Sequence, residues 1–141
     1  MKNIMVPILL LLFLPLSANG RNLADIDMKE GLWEISADIK IPGMPVSIPP
    51  MTQRQCITRE DLTEVMNQAE QGDQDCRTAN LAISDNRVIY DIECGAGASA
   101  TRGHAEFTYA GDRMQGIMKI SGPQGMETTT RFTGRRVGDC R

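Results

Sequence analysis

The sequence predicts an all-β domain with one short helix: an antiparallel meander of six or seven strands, curled into a barrel or half-barrel and held by two disulfides. Three observations carry this prediction. Apolar and polar residues alternate with period two over several short runs, the signature of half-buried strands. Turn residues separate the runs at the ~8–12-residue spacing of antiparallel folds. Four cysteines are placed where a folded-back sheet would join them. A meander leaves its outer strands unpaired, so such a sheet curls to protect them.

The hairpin from Cys76 to Cys94 is the clearest element. With Asp85-Asn86 as a two-residue turn, both types tolerating positive φ, pairing sets Ile83 against Val88, Leu81 against Tyr90 and Ala79 against Ile92. One face is then apolar and the other polar. The same register brings Cys76 and Cys94 to the open end, where a bridge forms once Cys76 sits in the lead-in or on a bulge. Cys56 is left to pair with Cys140, which would tie the last residues to the first third of the chain. A zinc site is the rival use of four cysteines, but no Cys-x-x-Cys pair occurs and the spacings are unlike zinc modules.

Residues 1–20 read as a secretory signal peptide. Lys2 gives a positive start, Ile4 to Leu16 is an apolar run broken only by Pro7 and Pro15, and Ala18-x-Gly20 precedes a cut at Arg21. The run is shorter than the ~20 residues of a membrane span, so no stable insertion is expected after cleavage. Residues 21–141 then form a single disulfide-stapled domain in an oxidising compartment. The chain carries a net charge of −3, one unit more negative without Lys2. Such weak acidity argues against nucleic acid or an anionic membrane as partner.

In chain order, Arg21 to Asp27 has no clear period and reads as a frayed lead or a short helical turn. Trp33, Ile35, Ala37, Ile39 and Ile41 alternate with Glu34, Ser36, Asp38 and Lys40 in the first strand. Residues 41–51 follow, rich in proline and yet apolar, with Met44, Val46, Ile48 and Met51. Prolines cannot donate to a ladder, so this is a loop or flap. Its apolar side chains either cap the sheet or cover a ligand. Thr52 to Ile57 delivers Cys56 on a short strand. Thr58 caps a helix, with Asp61 in a near-capping-box position and Leu62, Val65, Met66 and Ala69 on one face.

Gly95 to Ala98 connects to a strand with Gly103, Ala105, Phe107 and Tyr109 on one face and His104 and Glu106 on the other. It lacks the ending of a phosphate-binding loop. A turn at Ala110 to Arg113 leads to Met114, Gly116, Met118 and Ile120, and a second turn at Ser121 to Gly125 leads to Met126, Thr128, Thr130 and Phe132.

Little here points to catalysis. His104 is the lone histidine, with Glu106 the carboxylate in sequence reach to orient it, and no free nucleophile accompanies them. The pair Glu60-Asp61 opens a helix, where the dipole favours negative charge. Asp73 and Asp75 lack the glycine and distal glutamate of a calcium loop. The methionines are too scattered for a copper site and suit adaptable packing or an apolar pocket. No metal or cofactor is expected.

These residues resemble a family of secreted bacterial proteins called domain of unknown function 3617. The resemblance lies in Gly31-Leu32-Trp33-Glu34, Pro42-Gly43-Met44-Pro45, Gln55-Cys56-Ile57-Thr58 with Glu60-Asp61, the pair Cys76 and Cys94, Tyr109-x-Gly111-Asp112, and Gly134-Arg135-Arg136-x-Gly138-Asp139-Cys140. It implies export to the periplasm of a Gram-negative bacterium and carries no catalytic residue with it. The expected function is non-enzymatic binding of an apolar small molecule or lipid, with Met44, Val46, Ile48, Met51, Phe107, Tyr109, Met114 and Met118 as ligand contacts. The alternative is docking on another envelope protein through loop 41–51 and the basic residues Arg131, Arg135 and Arg136.

Overall fold

The computed structural model describes residues 23–45, 48–71 and 75–141, with the side chains of Ala24, Val65, Met66 and residues 68–71 excepted. The leader reading of residues 1–20 and the predicted contact Val46 lie outside the described residues, as do the helix-face side chains of Val65, Met66 and Ala69. Seven strands form one antiparallel sheet: β1 (Gly31–Lys40), β2 (Met51–Ile57), β3 (Cys76–Ser84), β4 (Arg87–Cys94), β5 (Thr101–Ala110), β6 (Arg113–Ser121) and β7 (Glu127–Gly138). Helix α1 (Arg59–Gln71) lies between β2 and β3 in the chain.

The spatial order is β2-β1-β7-β6-β5-β4-β3. From β3 to β7 it is a meander, and β7 then returns beside β1. The sheet does not close: β2 and β3 are its two edges. The bridges Cys56–Cys140 and Cys76–Cys94 both form. Such bonds persist where thiols are oxidised, outside a reducing cytoplasm. Among the described residues no helix is long and apolar enough to cross a membrane.

Local chemistry explains the elements. Asp85 and Asn86 take φ of 50° and 63°, the positive values a tight hairpin turn demands. Thr58 and Asp61 form a full capping box: the Asp61 backbone N–H donates to Thr58 Oγ1 at 3.1 Å, and the Thr58 N–H donates to Asp61 Oδ2 at 2.9 Å. The Thr58 hydroxyl, which donates to Asp61 Oδ2 at 2.7 Å, and then the Thr58 backbone N–H hold the Asp61 carboxyl below the usual carboxylate range. Gly31, at φ 149°, leaves no room for a Cβ, which would meet the Gly138 carbonyl and the Arg136 side chain.

Two expectations are corrected. The hairpin register holds at Ile83–Val88, but Thr78 rather than Ala79 faces Ile92, and Ala79 faces Asp91. Asn80, at φ 55°, starts a bulge that puts Asn80 and Leu81 opposite a single residue. That extra residue turns Ala79 outward and sets Cys76 directly against Cys94. The second correction concerns the lead before β1, which contains the short helical turn that was one expectation but does not fray. After a 3-10 turn at Leu23–Asp25 the chain enters the sheet's concave side, and Ile26 and Met28 are only 2% and 3% exposed, beside Trp33 at 1%.

Ile26, Met28, Trp33 and Val88 form the core, with Ile35, Ile83, Leu62, Tyr109 and Met114 packed around them. The lead is irregular, so its backbone needs partners from elsewhere. Arg59 donates to the carbonyls of Leu23, Ile26 and Met28 at 3.3, 3.1 and 3.1 Å. Asn86 Oδ1 accepts the Asp27 N–H at 2.7 Å, and Gly111 exchanges backbone hydrogen bonds with Asp27 and Lys29. Trp33 Nε1–H donates to the Lys29 carbonyl at 3.0 Å.

This plug makes a stability prediction. Ile26→Ala should lower unfolding free energy by about 2–5 kcal/mol in urea, with an unchanged m-value. A loss below about 0.5 kcal/mol, the size of a surface substitution, would contradict burial of the lead.

Candidate functional site

Alternation along the strands separates two faces of opposite chemistry. On the concave face the register stacks residues of four to six strands into rows. Ile35, Gly134, Met114 and Tyr109 form one row, next to the plug. Ala37, Phe132, Gly116, Phe107, Val88 and Ile83 form the next. Then come Ile39, Thr130, Met118, Ala105 and Tyr90, followed by Thr128, Ile120, Gly103, Ile92 and Thr78. No charged residue occurs in these four rows.

Phe107 anchors the middle of this surface. Its ring stacks on Tyr90 with centroids 6.4 Å apart and tilts against Phe132 at 5.6 Å. Gly116 lies directly across from it, and a Cβ there would run into the ring. Beyond the aromatic row Ile39, Thr130, Met118 and Ile120 are half-buried. The apolar loop leaves β1 at this end of the trough. A groove of ≈ 350 Å³ lies between the end of β1 and the loop, lined by Asp38, Ile39, Lys40, Ile41, Met44, Pro45 and Ile48. Ile39 belongs to both the groove's lining and the concave row, while Asp38 and Lys40 bring charge to the groove.

Ion pairs dominate the outer face. Glu34 takes Arg135 through two hydrogen bonds of 3.0 and 2.7 Å and Arg54 at 2.9 Å. Arg77 and Arg102 flank Glu93, and Arg87 holds Glu106 at 2.6 Å. These guanidiniums hold the Glu34, Glu93 and Glu106 carboxyls below their usual range. A depression of ≈ 430 Å³ on this face contains His104, Asp91, Asn80 and Lys119. His104 Nδ1 and Asp91 Oδ1 are hydrogen-bonded at 2.6 Å, and Asn80 Nδ2 donates to Asp91 Oδ2 at 2.7 Å. The Asn80 amide first, then His104, lower the Asp91 pKa.

The predicted ligand contacts therefore divide. Met44 and Ile48 line the groove, while Phe107 and Met118 lie on the trough. Met114 and Tyr109 pack against the core, where burial, with a smaller effect of Tyr90, pushes the Tyr109 hydroxyl up to about 12. Met51 is exposed at the start of β2. His104 is on the surface as expected, its side chain 52% exposed, but its carboxylate is Asp91 on the neighbouring strand; Glu106 goes to Arg87. Arg135 and Arg136 are engaged within the fold, Arg136 donating to the Glu30 carbonyl at 2.6 Å and pairing with Asp139. Sequence reasoning passed over Ile39 and Thr130 as site residues, although their alternation placed them inward. The Asn80–Asp91–His104 chain depends on the bulge and had no local signal. Among the described residues no group of three or more His, Cys, Asp or Glu side chains is arranged to hold a metal.

The model of a family described as protein of unknown function (DUF3617) matches residues 28–140, from the plug's Met28 to the bridging Cys140. No curated protein and no solved structure matches the chain.

The hydrogen bonds around Asp91 predict a titration. Its depressed pKa means that the pairing stabilises the fold above the ordinary Asp value and is lost as pH falls through the folded-state value. By NMR, the Asp91 carboxyl should titrate below the ordinary ~3.9, and Asn80→Ala should move it upward. An unchanged midpoint in that variant would refute the assignment of the Asn80 amide as the main cause.

Proposed function

The chain belongs to the DUF3617 family, and from that premise we propose that it is a non-enzymatic periplasmic protein that binds an apolar small molecule or lipid on its concave face. Residues 1–20 serve as the cleaved export signal in this reading. The single observation that carries the proposal is the uncharged trough, plugged at one end by Ile26 and Met28 and meeting at Ile39 the groove beside the apolar loop. Ligand sites are typically concave and mostly apolar, with a few polar groups that fix orientation. Thr128 and Thr130 are the hydroxyl side chains in the two rows nearest the loop on β7. Met44 and Met118 provide flexible thioether contacts that adapt to ligand shape.

The exposure of Met44, 51%, favours a second reading in which loop 41–51 docks on another envelope protein. One experiment separates the two. An uncharged naphthylamine dye should bind the purified protein with a blue-shifted emission. Met118→Asn and Ile39→Asn should each weaken it by about tenfold, the effect of roughly 1.4 kcal/mol of lost apolar contact. Dye affinity unchanged in both variants would overturn the trough, and no uptake by the parent protein would leave the loop to docking alone.

A further inference from the structure

We infer that β2 is a self-association edge, through which two copies of this chain pair antiparallel over Met51 to Gln55, with Gln53 opposite its own symmetry mate. The sheet ends on two strands, and they are protected very differently. Edge β3 carries the Asn80 bulge, and α1 packs against it. Both are devices by which natural sheets block further pairing. On β2 neither is found among the described residues. Its register with β1 runs unbroken from Met51 to Ile57, and the prolines of the loop stop before it, at Pro50. Its one charge, Arg54, is held by Glu34 through Nε at 3.0 Å. Residues 51–56 are all exposed, Met51 at 59%.

The side chains favour a self-complementary register and exclude one. Opposed residues of an antiparallel pair point to the same face, so a two-fold axis that keeps both concave faces on one side passes through a residue. An axis at Arg54 would set two guanidiniums against each other, an unfavourable like-charge pair. An axis at Gln53 sets Gln53 against Gln53, Thr52 against Arg54 and Met51 against Gln55. The two Gln53 amides can then donate to and accept from each other, and no charge meets its like. The surface is thus complementary to itself, as an isologous dimer requires. This inference does not depend on the ligand reading.

Sedimentation velocity on the disulfide-intact protein at low salt tests it. The parent should form a dimer. Gln53→Lys and Gln53→Glu, each alone, should raise the dimer dissociation constant about 3–10-fold through like-charge opposition. An equimolar mixture of the two variants should recover or exceed parental affinity, because opposite charges then face each other. Circular dichroism checks that these exposed substitutions leave the fold intact. A parent that stays monomeric, or variants that behave the same alone and mixed, would overturn the proposal.

Discussion

The guanidinium of Arg59 satisfies the carbonyls of Leu23, Ile26 and Met28, and so lets an irregular segment lie inside a β-sheet. Without those hydrogen bonds, placing that backbone away from water would cost about 1–3 kcal/mol per unsatisfied group. With them, Ile26 and Met28 complete a core around Trp33 that the sheet's few aromatics could not fill alone. The position of Arg59 follows from its neighbours: the Thr58–Asp61 box starts the helix there, and the Arg59 backbone N–H donates to Glu30 Oε1 at 2.8 Å. Cap, plug and Trp33 therefore act as one cooperative unit at one end of the sheet.

The same arrangement explains why the two ends of the concave face differ. The core that the lead completes takes in Ile35, Met114 and Tyr109 and, on the β3–β4 side, Val88, Ile83 and Tyr90. Past the aromatic row the face is uncharged, with Ala105 buried and Ile39, Thr130, Met118 and Ile120 half-buried, and the chain places its proline-rich apolar loop there. The outer face needs no such cover. Its cross-strand ion pairs solvate it and add little to stability at exposed sites, while the two disulfides tie each edge strand to a neighbouring part of the fold.

Strand identity was legible in the sequence because alternation is a local property. The inward sets Gly103, Ala105, Phe107, Tyr109 and Met114, Gly116, Met118, Ile120 fall on one face as expected, and the bridge of Cys56 to Cys140 ties the last residues to the first third of the chain as expected. Two features were legible only in part or not at all: a bulge was one of two ways offered to bring Cys76 to Cys94, but its place at Asn80 was missed, and the burial of the lead was not foreseen. The bulge depends on Asn80 adopting positive φ, a choice made by the requirement that Cys76 oppose Cys94 while Ile83 opposes Val88. The plug has no period, and its charged Asp25 and Asp27 suggest solvent. Only Arg59, Asn86 and Gly111, distant in sequence, account for its burial. Two of the eight predicted ligand contacts, Met114 and Tyr109, lie on the expected face but pack against the core that the unforeseen lead completes.

The most direct test of this account is native mass spectrometry of the protein released gently from cells, set beside its denatured mass. The account predicts a discrete additional mass of an apolar or amphiphilic molecule in the native spectrum, lost on denaturation, and a polypeptide mass that fits a start at Arg21 with both disulfides formed. Native protein carrying no added mass, and still carrying none after exposure to a lipid extract, would contradict it.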